Sequence, residues 1–341
     1  MRGRGRGVGT LGVALALLAA LLAGCAPTTG ATTAHLPTLA LPAALAGDHL
    51  FITDLLTGDV AELGQRTFRV GKSVHGLGLA PDGRTLYVTD VAGNALVAYA
   101  VLPGGRLGAA RRVVVGAAPV HVVQTPSGLL FVTNFGESSV SVVDAARWRV
   151  RATITVPASP HGIVLAPDGR TAYVACANGG AVAALDAASQ ALTWTLPLPD
   201  GARPYSVALS GDGRYLYAAD NFAARLFVID TAARQIIGTV PIGLRAALMA
   251  RSADGATLYI SNGASGTVSV LDLASDPAHP TVRATVRVGT YPHGLALTAD
   301  GRYLVVANTL GDTLSVIATA TDTVIATIAG ERYPNDVLAL P

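Results

Sequence analysis

The chain has 341 residues, 51% of them hydrophobic and 13% charged, with 38 glycines and 19 prolines, which is too much turn chemistry for a helical protein of this size. The formal charge is only +2, and three arginines within the first six residues supply more than that excess, which argues against a nucleic-acid binder. Two cysteines, Cys25 and Cys176, leave no basis for a disulfide framework.

Residues 1–24 read as a targeting segment: Arg2, Arg4 and Arg6 form a basic start, and Val8 to Leu22 is an apolar stretch too short for a good membrane span. The segment ends in Leu22-Ala23-Gly24-Cys25, which resembles the lipobox of bacterial lipoprotein signal peptides. The resemblance implies that Cys25 carries lipid and opens the mature chain, with Ala26 after it leaning towards outer-membrane delivery. The chain is therefore expected to be extracytoplasmic, anchored to the cell membrane or the outer membrane through Cys25. Loss of the three leader arginines takes the formal charge from +2 to −1. Residues 25–47, rich in Ala, Thr and Pro, read as a lipidated tether.

From residue 48 onward one five-residue pattern recurs seven times: LFITD from Leu50, LYVTD from Leu86, LFVTN from Leu130, AYVAC from Ala172, LYAAD from Leu216, LYISN from Leu258 and LVVAN from Leu304. Each copy is β-branched or aromatic, and six end on a turn-favouring Asp or Asn. Ahead of the pattern lies a tight-turn pair, such as Asp82-Gly83 or Asp300-Gly301, and ahead of that an apolar run such as His293-Gly294-Leu295. After it come two further alternating segments, for example Ser139 to Asp144 and Arg151 to Val156. Four antiparallel strands per repeat make one blade of a propeller. The repeat openers Gly71, Gly116, Pro157, Gly201, Gly243, Gly289 and Gly330 stand 45, 41, 44, 42, 46 and 41 residues apart. The last copy holds only a first strand and the chain's first copy starts at a second strand, so the two complete one shared blade. The expected fold is all-β: a seven-bladed β-propeller over residues 48–341 whose ring closes without free sheet edges.

The repeat, PHG-x-x-LxPDGRxLYVTN followed by TVSVID, resembles the YVTN β-propeller family along the whole of residues 48–341. It departs at Cys176, which replaces the terminal Asn or Asp, and at Ala246-Ala247 in the fifth full repeat, where Pro-His is expected. Members of that family are mostly exported or surface proteins, and the family does not fix an activity.

The loops leading into the first strands carry His75, His121, His161 and His293, with Tyr205 and Asn335 at matching points, and Lys72, Arg203, Arg245 and Arg332 beside them. The strand-end residues Asp54, Asp90, Asn134, Asp220, Asn262 and Asn308 fall on the same face. First strands line a propeller's channel, so this set is expected to ring the channel mouth. One reading is a pocket for an anion, a small ligand or a metal; the other is a loop staple repeated once per blade. Asp144, Asp186, Asp230 and Asp272 read as turn caps, and Cys176 as a buried inert thiol.

Neither HExxH, GxSxG nor CxxCH occurs, and the Trp and Asp-box signatures of other propeller enzymes are missing. The expectation is therefore a monomeric, non-enzymatic scaffold with no catalytic residue and no required cofactor, binding a partner protein, an envelope polymer or a small ligand. The alternative is a propeller enzyme or cofactor carrier, lactonase-like or haem- or metal-binding, that uses the channel-mouth histidines.

Overall fold

A computed structural model describes residues 42–330 and 332–340. The leader, Cys25 and most of the tether lie outside the described residues. Twenty-eight strands form seven four-stranded antiparallel sheets, each one blade, and two single-turn 3₁₀ segments are the helical content among the described residues.

Blade one is the shared blade. Its inner strand, Pro334–Ala339, pairs with Leu50–Asp54, matching Leu50 to Ala339, Phe51 to Leu338 and Ile52 to Val337. The Leu340 amide extends the pairing by donating to the His49 carbonyl at 2.9 Å. The sequence expectation of seven blades and a shared closure is met. Blades two to seven follow in chain order, each running from the channel outward.

Alternation of side chains along the second strands sends successive residues to opposite blade faces. In blade one, Phe51 packs with Val74, Leu86 and Val88 of blade two, while Leu50 and Ile52 pack with Val305 and Ala307 of blade seven. The same division gives an apolar core at each of the seven blade junctions. The outermost strands are mostly solvated, as in Thr323–Ala329. Cys176 sits in the core between blades three and four, fully buried, and burial pushes its thiol up to about 12. Burial and a raised thiol fit the inert cysteine that the sequence suggested.

Polar groups close the remaining gaps. Strand-end residues tie loops together: Asp90 accepts from the Lys72 amide at 3.1 Å and the Gly93 amide at 3.0 Å, and Asn308 donates to Thr313 and Ser315 while accepting from the Gly289 amide. Asp144, Asp186, Asp230 and Asp272 cap the turns that follow them, as read. Across blade junctions, the hydroxyl of the recurring LxVT position clasps a carbonyl of the next blade's inner strand. Thr53 donates to His75 O at 2.8 Å, Thr133 to His161 O at 2.7 Å and Ser261 to His293 O at 2.5 Å.

These hydroxyls have a measurable role. Thr133→Val strands the buried His161 carbonyl and should cost roughly 1–3 kcal/mol in a urea titration, whereas Thr285→Val on an exposed outer strand should stay within about 0.5 kcal/mol of wild type.

Candidate functional site

The channel is built from the seven inner strands, and their burial is graded. Val74–Leu79, Pro160–Leu165 and Pro292–Leu297 are buried over their first three or four residues and partly exposed beyond. The channel is thus closed at the end where these strands begin and opens where they finish.

Side chains at the second place of the inner strands make the plug: His75, Val120, His161, Tyr205, Ala247, His293 and Asn335, taken round the ring. The third place holds Gly76, His121, Gly162, Ser206, Leu248, Gly294 and Asp336. His121 is therefore not equivalent to the other histidines. Pro119 pairs with Asn134 as Pro160 does with Cys176, and His121 comes one residue later, opposite Thr133.

Glycine at the third place lets neighbouring blades approach. A Cβ on Gly162 would meet Tyr205 O and Ser206 Cα, and one on Gly294 would meet Asn335 O and Asp336 Cα. The approach brings each preceding histidine over the next blade: His161 Nδ1 lies 3.0 Å from Tyr205 O and His293 Nδ1 lies 3.1 Å from Asn335 O. A carbonyl only accepts, so Nδ1 carries the proton in both rings. His75 faces Val120 O in the same sense without the alignment of a hydrogen bond, and both its ring nitrogens lack a partner.

The rings converge. Centroids of His75 and His121 are 5.1 Å apart, of His75 and His161 5.2 Å, of His121 and His161 4.8 Å, and of His75 and His293 5.5 Å. Tyr205 stacks on His161 at 3.5 Å. His75, His161 and Asn335 are fully buried, so they form an interior plug where the sequence suggested a ring at the channel mouth. Burial holds His121 down to about 3 and His293 to about 4. It also depresses His75 and His161, with the neighbouring imidazoles adding to the effect. All four are neutral near pH 7.

The four cations stand elsewhere. Lys72, Arg203 and Arg332 are exposed on the loops outside the plug, and Arg245 is half-buried there. Arg203 and Arg245 lie 5.1 and 5.6 Å over the exposed Phe222 ring. None of the four lines the channel cavity.

That cavity, of about 170 Å³, lies against the plug and is walled by His121, Ser206, Leu248, Met249, Leu295 and Asp336 among others. Asp336 is the residue that repeat reading passed over. It occupies the place of the glycine in Pro-His-Gly, since blade one has Pro334-Asn335-Asp336, and that substitution was the available signal. Its carboxylate accepts from the Leu77 and Val337 amides, each at 2.9 Å. Burial nevertheless pushes it up to about 7, against the lowering effect of those two bonds. A larger cavity of about 580 Å³ lies between blades two and three, lined by Tyr87, Tyr99, Arg111 and Trp148. It holds no buried acid or base suited to catalysis, and the channel is the stronger site.

Known proteins agree with the fold and redirect the function. Residues 69–178 match the family described as the SMP-30/gluconolactonase/LRE-like region, and residues 225–327 match the family described as lactonase, 7-bladed beta-propeller. Among curated proteins none matches. Among solved structures, the periplasmic gluconolactonase of Pseudomonas aeruginosa superposes with a TM-score of 0.74 at 20% identity, covering 86% of this chain and 99% of that one. A protein of Desulfotomaculum acetoxidans of unknown function gives 0.74 at 14% identity, covering 86% and 98%. Hydrazine synthase of Kuenenia stuttgartiensis gives 0.67 at 20% identity, covering 79% and 91%. The chain is a seven-bladed β-propeller. The expectation of a non-enzymatic scaffold without catalytic residues is corrected: both family matches are to lactonase-type propellers, and they favour the enzyme alternative. Sequence motifs missed this because no short catalytic signature marks a site assembled from one residue per blade.

The buried groups set a pH dependence of stability. Below pH 6.5 the unfolded chain takes up imidazole protons that the folded one refuses, so stability is lost as pH falls from there through about 4 and 3. Asp336 acts oppositely: its contribution is full below pH 3.8 and is lost as pH rises to about 7. Its ionisation in the fold costs on the order of 4 kcal/mol. Wild type should therefore melt lower at about pH 4.5 than at about pH 6.5, because four groups oppose one. Asp336→Asn should melt above wild type at about pH 8 and show no such gain at about pH 4; equal melting at the higher pH would contradict the buried carboxyl.

Proposed function

We propose that the protein is a lactone hydrolase whose reaction occupies the channel cavity, with Asp336 as general base. The observation that carries this reading is a convergence. Two lactonase-type family matches fall on different sides of the ring, and both sides face one channel holding a pinned, buried carboxyl. A carboxyl near 7 suits a base working at neutral pH, because it is ionised enough to act and basic enough to take a proton.

The chemistry follows from the groups present. Asp336 accepts a proton from water as the water oxygen attacks the lactone carbonyl carbon. The tetrahedral intermediate breaks its bond to the ring oxygen, and Asp336 returns the proton to that leaving oxygen, giving the open hydroxy acid. The neutral His121 ring and the Ser206 hydroxyl face the same cavity and can donate to the developing oxyanion. Leu248, Met249 and Leu295 supply the apolar part of the wall beside those donors.

Glucono-1,5-lactone is the first substrate to try, with spontaneous hydrolysis subtracted. Asp336→Asn should lower kcat by about 10²–10⁴-fold with little change in KM. The wild-type kcat should rise with pH through about 7, and the variant should lose that limb. Unchanged turnover in a folded Asp336→Asn protein would refute the assignment.

A YVTN-type repeat and a lipobox ending at Cys25 support an exported hydrolase tethered to a membrane. Expression in a bacterium fed alkyne-palmitate should label wild type and leave Cys25→Ser unlabelled; labelling of both would remove the anchor from this account.

A further inference from the structure

The hydrolase reading uses one imidazole as a donor and leaves the cluster around it unexplained. If the histidines were only staples between blades, each would sit in the same register and bond the next blade's carbonyl. His161 and His293 do so. His75 makes no such bond, and His121 has left the register altogether, entering the group from the third place of its strand. Neither gains a ring hydrogen bond among the described residues by standing there.

We propose that His75, His121 and His161 bind one divalent late first-row transition metal ion, of the Zn²⁺ or Cu²⁺ class, at the closed end of the channel. One ring nitrogen of each lies within 4.8 Å of the others. Three nitrogens each about 2.1 Å from one ion stand at most about 3.6 Å from one another. Closing on an ion therefore draws the rings in by less than about 1 Å, a movement that side-chain torsions can supply.

Three features favour a metal over bare ring packing. The Nε2 atoms of all three rings are buried without a partner, and burial penalises polar atoms left unpaired. The Tyr205 carbonyl holds the proton of His161 on Nδ1, which turns the Nε2 lone pair towards the cluster, the arrangement that metal-ligating histidines use. The ring is also braced from outside: Tyr205 stacks on His161, Phe135 meets its edge at 5.7 Å, and Thr133 clasps its carbonyl. An all-imidazole set suits zinc, copper or nickel and disfavours magnesium and calcium, which demand oxygen ligands.

The test reads metal content and needs no substrate, so its failure leaves the hydrolase reading untouched, and the converse holds too. The chain is stripped with a chelator, reconstituted with Zn²⁺ or Co²⁺, desalted, and measured by elemental analysis and by visible absorption of the cobalt form. Wild type should retain about one equivalent and show the ligand-field bands of a low-coordinate cobalt site. His75→Gln and His121→Gln should each weaken binding by about 100-fold or more, while the exposed His279→Ala should bind as wild type does. Should His75→Gln or His161→Gln fail to fold, His121→Gln decides alone, because that residue is only half-buried and its ring staples nothing. Folded wild type that retains no metal would overturn the proposal. So would His121→Gln binding with undiminished affinity, which would place any retained ion elsewhere.

Discussion

Pairing between Leu50–Asp54 and Pro334–Ala339 is the constraint on which the rest of the molecule depends. Each blade junction buries an apolar core contributed half by one blade and half by the next, so an open ring would expose two such faces together. The closing strand prevents that, and it also shapes the candidate site. It brings Asn335 beside His293 and delivers Asp336 to a cavity whose other walls come from blades three to seven. Asp336 accepts from Leu77 of blade two, so the same carboxylate braces the junction that the closing strand completes. Ring closure and the candidate site thus meet in one segment.

A cost accompanies this arrangement. The channel's closed end concentrates four imidazoles and one carboxyl where water is scarce, and each is shifted towards its neutral form. Apolar side chains at those places would pack without that penalty. Retaining polar groups where burial disfavours their charge is the pattern expected of a working site, and it separates the channel from the blade junctions, which are apolar almost throughout. The larger groove between blades two and three has aromatic walls without comparable strain on its ionisable groups.

Much of this was legible in the sequence. Seven copies of one strand pattern, with a lone first strand after the last, were enough for blade number and closure. Turn caps such as Asp144 and the inert Cys176 followed from position alone. The site was legible only in part. His75, His161 and His293 were found because they repeat, but repetition also suggested a false register for His121, hidden by one extra residue between Gly116 and the histidine. Depth was not readable either: a loop histidine looks solvated until the glycines beside it show how closely the blades approach. Asp336 escaped because no other copy holds an acid at its place, three of them holding glycine, and a residue placed once in a sevenfold pattern does not show as a pattern. The catalytic expectation failed for the same reason.

The most direct probe of the central claim is the titration of Asp336 itself, followed by the carboxyl carbon shift of ¹³C-aspartate-labelled protein with Asp336→Asn as the assignment control. Delivery of this side chain into a dry channel by the closing strand predicts a midpoint of about 7. A midpoint near 4, that of a solvated aspartate, would show the carboxyl outside the channel and contradict both the closure and the chemistry built on it.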